Sequence, residues 1–415
     1  MTTKNKFKII SLILSAVLLS SACLFACTKS EETPSDGDSV VTGTETETET
    51  PSDASDDEGT LSPSDENEDE PSDKEDEKPD EPEKEPEDET EKEPDAPVFR
   101  NPLTGLVCDE SYVNKRPVAM MINNIKQAIP QLGISNADIM YECIVEGGIT
   151  RLMCVFSDYE NLPVTGSVRS SRDYYIDLAQ SHDAIYAHCG GSEDAYAAIA
   201  ARYIDNIDGV RGSQAEANCY WKDQDRVRNM GYEHASMTSG EKIANAISAL
   251  KFRTQINEGF AHPLHFYETE TAIEGDDALS VTVSYSGSYS RSFFAYDETL
   301  GEYKKGQYGT AHVDANTGKA VSFENIILLG VTYRNTGDYY NHLVMTFEGE
   351  GKGYYVSGGK LKNIVWKKSG RQSPYSLYEA DGVTPLFINP GKTYIGLANG
   401  LAQVKYSATV DYTIE

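Results

Sequence analysis

The chain alternates between apolar and polar blocks on three different scales. It opens with Lys4, Lys6 and Lys8, followed by an apolar run from about Ile9 that ends in small residues and cysteine. A basic start, an apolar middle and a small-residue end form the pattern of a secretory signal. Residues 28–98 then repeat Thr-Glu, Pro-Ser-Asp and Glu-Lys-Glu-Pro units and hold no aromatic residue. A stretch so poor in apolar side chains buries too little surface to offset its ordering entropy, which predicts a disordered tether. From residue 99 onward, short apolar runs divided by turn residues take over, as in a folded body.

Within that body, Pro117-Val118-Ala119-Met120-Met121-Ile122-Asn123-Asn124 predicts a buried strand. Two β-rich runs, residues 139–146 and 149–156, flank Gly147-Gly148 and predict a two-residue hairpin. That register sets Ile144 opposite Arg151, with Glu142 and Glu146 on the same face as the arginine and Cys143 diagonal to Cys154 on the other face. Residues 162–168 and 183–189 read as strands. Each precedes a helix, the first running to about Gln180 and the second beginning at Glu193 with Ser192 as its cap. Ser170 with Asp173, and Thr238 with Glu241, have capping-box spacing. Beyond residue 255, short alternating segments such as Val281-Thr282-Val283-Ser284-Tyr285 and Ser292-Phe293-Phe294-Ala295-Tyr296 are separated by Gly-rich turns. The expectation is an α+β fold. It has an α/β domain over residues 99–255 that contains a β-α-β-α unit, and a mainly antiparallel β-rich domain over residues 256–415.

Charge sharpens this organisation. The net charge is −31, yet residues 28–98 contain 30 acidic residues against five lysines, leaving about −9 on residues 99–415. Such a balance excludes a basic nucleic-acid binder. A single long apolar run excludes a polytopic membrane protein. The signal ends in a pattern resembling the lipobox of bacterial lipoproteins, in which the cysteine at the cleavage site is diacylated. Cys27, with Leu24 three positions upstream and polar sequence directly after it, fits better. Cys23 is the alternative, and an uncleaved signal anchor is a third reading. All place residues 28–415 outside the cytoplasm, and two acyl chains suffice for stable anchoring. The expected partner is therefore the outer face of the cytoplasmic membrane, reached through a diacylglyceryl cysteine.

Candidate chemistry gathers where the helices begin. If the strands of the β-α-β-α unit pair in parallel, both helix starts lie at the carboxyl edge of one sheet, where open α/β sheets bind ligands. Arg169, Ser170, Ser171, Arg172, His188, Gly190, Gly191 and Ser192 then converge on an expected anion site, because guanidinium forks and free N–H groups suit carboxylate or phosphate oxygens. The competing fate of each arginine is a structural ion pair. A second expectation is acid/base catalysis by Glu142, Glu146 and His188, as in a cell-wall hydrolase or transferase. Neither CxxC nor HExxH spacing occurs, so no metal or cofactor is expected.

Several of these stretches, read together, resemble the YerB-like lipoproteins of Gram-positive bacteria. They are residues 116–124, Ala137-Asp138-Ile139-Met140-Tyr141-Glu142, Val145-Glu146-Gly147-Gly148-Ile149-Thr150-Arg151, residues 166–174 and His188-Cys189-Gly190-Gly191-Ser192. The match continues through Gly353-Tyr354-Tyr355-Val356-Ser357-Gly358-Gly359 and Asn389-Pro390-Gly391-Lys392-Thr393-Tyr394-Ile395. It covers nearly all of residues 99–415. The family pattern has another small residue where Cys189 stands, and a Pro-His-Asn-Leu type loop where this chain reads Glu233-His234-Ala235-Ser236. The resemblance implies two associated domains and an extracytoplasmic lipoprotein, and it implies no established activity.

Overall fold

The computed structural model describes residues 97–415 apart from Ser288, Thr413 and Glu415. The signal segment, Cys23, Cys27 and nearly all of the acidic stretch lie outside the described residues. The fold is α+β. Its first elements are β1 (Val118–Asn123), β2 (Ile139–Ile144), β3 (Thr150–Phe156), α1 (Asp173–Gln180), β4 (Ile185–His188), α2 (Glu193–Arg202) and β5 (Asn206–Asp208). Next come β6 (Trp221–Lys222), β7 (Ser236–Thr238) and α3 (Gly240–Leu250). The second half contributes β8 (Ser280–Ser286), β9 (Ser290–Asp297), β10 (Glu302–Gln307), β11 (Asn325–Asn335), β12 (Gly349–Ser357), β13 (Lys360–Lys368), β14 (Thr393–Asn399) and β15 (Val404–Ser407).

One 12-stranded sheet crosses both halves in the order β13-β12-β11-β14-β2-β3-β1-β4-β5, with short strands at its margins. The joint is β14, which pairs in parallel with β11 on one side and with β2 on the other. The central strands are covered on both faces, so β1 is apolar at every position from Val118 to Ile122 rather than alternating. Met121, Tyr141 and Cys143 share one core cluster with residues of α1 and α2. Met120, Met140 and Cys154 face another, built with α3 and with a six-stranded sheet that contains β8, β9, β10 and β15. In β8 the alternation is plain. Val281, Val283 and Tyr285 enter this second core, while Ser280, Thr282 and Ser284 take the other face.

Several local expectations are corrected. Residues 146–148 form a 3-10 turn, and the Val145 amide donates to the Ile149 carbonyl over 2.8 Å, so the hairpin loop is wider than two residues. Arg151 therefore pairs with Cys143, and Glu142 with Leu152. This one-residue shift sends Glu142 and Arg151 to opposite faces. It also separates Cys143 from Cys154, and both are free thiols. The parallel partners of β4 are β1 and β5, not residues 162–168, whose short strand Thr165–Gly166 instead joins β7 in a separate small sheet. Helix α1 has Arg172 at its cap position with no side-chain cap, so Ser170 does not cap it; the Asp173 carboxylate accepts the Tyr174 amide instead. Helix α3 starts after Ser239, and the Thr238 hydroxyl donates to the Cys219 carbonyl rather than capping. Ser192 does cap α2, accepting from the Ala195 amide at 3.3 Å.

Candidate functional site

The carboxyl ends of β1 and β4 are held apart by residues 168–171. The Arg169 amide donates to the Met121 carbonyl (2.9 Å), the Cys189 amide to the Arg169 carbonyl (3.1 Å) and the Ser171 amide to the Gly190 carbonyl (2.8 Å). Two parallel strands parted at their carboxyl edge leave a crevice, the usual ligand position in such sheets. Here the crevice is a cleft of about 320 Å³. Arg169, Ser170, Gly190 and Gly191 line it, joined by Cys189 from the end of β4. Its other wall comes from residues that sequence reasoning did not single out: Tyr196, Arg211, Lys222, Tyr232, Glu233 and Ser236. No motif spacing marks them, because they reach the cleft from α2, β6, β7 and two loops.

The electrostatics of the cleft are uneven. Lys222 Nζ donates to the Ser236 hydroxyl (2.8 Å) and the Tyr232 carbonyl (2.9 Å), and it lies 3.9 Å from the centre of the Tyr232 ring. Arg169 donates to the Glu233 carbonyl at 3.3 Å. Among the described residues, neither Arg169 nor Lys222 has a carboxylate oxygen within 4 Å. Burial pulls both groups below their ordinary pKa, and Arg169 adds to the effect on Lys222. Arg211 stacks 3.9 Å over Tyr196 and pairs with the exposed Glu193. Cys189 is pushed up to about 12, chiefly by burial, which keeps it a neutral thiol rather than a nucleophile.

The remaining expected residues have other fates. Arg172 is buried and ion-paired to Glu146, which also meets Arg151 at 3.3 Å. Burial raises the Glu146 carboxyl, but the two guanidiniums outweigh it and bring the group to about 2. Ser171 is buried, its hydroxyl accepting from Tyr186 at 2.8 Å. His188 is wholly buried. Its Nδ1 donates to the Gly190 carbonyl at 2.9 Å, and its Nε2 lies 3.2 Å from Asn206 Oδ1. The Gly190 amide is taken by Asp208, which also accepts from the Val210 and Arg211 amides and the Tyr196 hydroxyl. The anion at that turn is thus the protein's own carboxylate. Burial raises it, and His188 with the amide donors more than compensates, leaving it below the usual carboxylate range.

Glu142 is not in any cleft. Its side chain is wholly buried and accepts from Thr150 (2.7 Å), Ser292 (2.8 Å) and Tyr394 (2.8 Å), with Lys305 Nζ 3.4 Å away. Glu142, Glu146 and His188 therefore do not converge. Their separation follows from the hairpin register, which turns Glu142 toward the six-stranded sheet and leaves Glu146 in the loop beside α1. Among the described residues no group of three or more His, Cys, Asp or Glu side chains is placed to hold a metal ion.

Comparison with known proteins covers most of the folded part of the chain. Residues 103–253 match the family described as "Protein of unknown function (DUF3048) N-terminal domain", and residues 281–395 match its C-terminal domain. The chain is 30% identical over 304 residues to the Bacillus subtilis (strain 168) protein named "Putative lipoprotein YerB", a match covering 72% of this chain and 86% of that protein. The crystal structure of YerB protein from Bacillus subtilis superposes with a TM-score of 0.65 at 26% identity, covering 74% of this chain and 99% of that one. With both domains present in order and the fold shared, this chain belongs to the YerB-like family.

Proposed function

We propose that this protein is a lipid-anchored extracytoplasmic binding module whose cleft at the β1–β4 edge takes a small anionic envelope component or metabolite. The observation that carries the reading is the pair Arg169 and Lys222, two partly buried cations that share one cleft with no carboxylate oxygen within 4 Å of either, Glu233 on the same wall acting on both only from farther away. An incoming anion restores what burial takes from both charges, and arginine's fork suits carboxylate or phosphate oxygens. A cleft of about 320 Å³ admits a small molecule. Anchoring through Cys27 accords with the signal pattern and with the lipoprotein name of the relative. Against the hydrolase reading stand the sealed Glu142 and the doubly paired Glu146, neither of which faces the cleft.

Calorimetric titration of the full-length chain in detergent with inorganic phosphate, pyrophosphate and citrate tests the reading. Binding of at least one is expected, weakening with salt and falling at least ten-fold in Arg169→Ala and in Lys222→Met. Absence of binding by all three, or unchanged affinity in both variants, sinks it.

A further inference from the structure

A second concave surface lies on the opposite side of the six-stranded sheet from its core. Its larger part, of about 760 Å³, is bordered by Lys126, Tyr289, Arg291, Phe293, Tyr308 and Tyr412. Across Arg291 and Tyr412 it continues into a depression of about 340 Å³ that reaches Lys405. The strand pattern builds this surface directly. Outward positions of β8 pair with outward positions of β9, Thr282 with Phe293 and Ser284 with Arg291, while Thr282 also pairs with Lys405 of β15. Along one edge the buried Ser280 hydroxyl accepts from the Asp411 amide (2.7 Å) and the buried Thr282 hydroxyl bonds the Tyr412 hydroxyl (3.0 Å), which fixes the segment carrying Asp411 and Tyr412 as part of the groove wall.

Three features distinguish this groove from ordinary sheet surface. The first is charge. Lys126, Arg291 and Lys405 border it with Asp411 as the acidic residue among its walls, and among the described residues none of the three cations has a carboxylate within 4 Å. Arg291 Nε is buried and has no hydrogen-bond partner among the described residues, a state that costs free energy unless something else accepts from it. The second is aromatic area. Tyr289 stands about half exposed, edge-on to Tyr308 at 5.5 Å, and Phe293 packs 4.7 Å from Tyr412. The buried Phe293 ring lies close against Gly306, where a Cβ would come within 2.1 Å of it, and so backs the groove rather than opening into it. The third is strain. Tyr308 sits in the two-residue turn after β10 at φ +53°, a conformation that non-glycine residues rarely adopt, and its hydroxyl is tied to the Asn124 carbonyl at 2.7 Å. An aromatic residue held there at a cost keeps its ring on the groove wall.

We propose that this groove binds an acidic oligosaccharide. Two depressions that share Arg291, Asp411 and Tyr412 offer successive positions to a chain rather than one seat for a compact metabolite. The half-exposed Tyr289 ring and its neighbour Tyr308 suit the C–H faces of sugar units, and the three cations without a carboxylate against them select for carboxylate or other acid groups along the chain. The site is separate from the β1–β4 cleft and shares no residue with it.

The test uses the full-length chain in detergent and two probes of equal length, a hyaluronan hexasaccharide, which carries carboxylates, and chitohexaose, which does not. Vesicles of phosphatidylglycerol are the third arm. The proposal expects the acidic hexasaccharide to bind at least ten-fold more tightly than the neutral one. It expects a ten-fold or greater loss in Arg291→Gln and in the exposed variant Tyr289→Ala, with unchanged melting for the latter, and no change in Arg169→Ala. Equal affinity for the two sugars, binding to vesicles alone, no binding at all, or full affinity in both Arg291→Gln and Tyr289→Ala would each overturn it. Because Arg169→Ala addresses the other cleft, failure here is distinguishable from failure there.

Discussion

Glu142 and Lys305 meet 3.4 Å apart with both side chains wholly buried, one from the first half of the chain and one from the second. Around them Lys305 Nζ donates to His312 Nδ1 (2.9 Å) and Gln307 Oε1 (2.9 Å), His312 reaches Gln131, and Gln131 reaches Asn124, which returns to Glu142. Burial pulls the Lys305 ammonium down and Glu142 pushes it back. The six-stranded sheet is therefore docked on the large sheet through a buried polar network as well as through apolar contacts, with Gln307 Nε2 as a member left without a partner among the described residues. A buried ion pair adds little net stability over apolar residues of similar volume, but removing one partner strands a charge. Lys305→Met and Glu142→Gln singly should each cost ~3–5 kcal/mol, read from urea unfolding. The double variant should cost less than the sum of the two. Strict additivity would show that the pair is not coupled.

Acid should loosen the loop between β2 and β3. Glu146, held at about 2 by Arg151 and Arg172 against the effect of burial, has a folded pKa below its unfolded value. Its contribution to stability is then complete above pH ~4.5 and is lost as pH falls from there toward 2. Arg151, pulled down to about 10 by burial and by Arg172 beside it, stays charged throughout this range, so the slope is that of Glu146 alone, ~1–2 kcal/mol between pH 6 and pH 3. Comparing stability at pH 6 and pH 3 for the wild type and Glu146→Gln checks this. The variant should show the smaller pH dependence, and equal slopes would refute the assignment.

Anchoring is tested at the cysteines outside the described residues. Cys27→Ala should abolish metabolic labelling with a fatty acid and release the protein from the membrane fraction. If Cys23→Ala alone has that effect, the cleavage site lies four residues earlier. If neither has it, the segment is a signal anchor or an ordinary secretory signal.

Thiol reactivity should follow burial rather than position in the cleft. Cys189 lines the cleft yet is pushed up to about 12 by burial, so roughly one molecule in 10⁴ carries a thiolate at pH 8. Cys143 and Cys219 are likewise raised, to about 12 and about 11, and Cys108 is raised less deeply inside the fold, with both burial and Asp109 acting on it. Iodoacetamide on the native protein at pH 8, followed by peptide mass spectrometry, should label Cys108 before the other four. Fast labelling of Cys189 would mean that the cleft wall opens in solution.

What the sequence determined by itself about this protein is local or compositional. The charge-rich tether pattern, the strand at residues 118–123, the helix after Ser192 and the alternation of β8 are properties of neighbouring residues. Their physics, side-chain periodicity and a cap three residues from its amide, acts over one or two turns. The cleft was legible in part for the same reason, since Arg169, Ser170, Gly190 and Gly191 are adjacent in sequence to helix starts. Tertiary structure alone decided the rest. A single extra loop residue between β2 and β3 reversed the face of Glu142 and gave it Lys305 as a partner, and pairing of β4 with β1 set the cleft between strands distant in sequence. Arg172 went to Glu146, while Lys222 and Arg211 arrived from elements carrying no motif. Strand register and the choice of ion-pair partner depend on which surfaces meet across the fold, at sequence separations over which no local propensity acts.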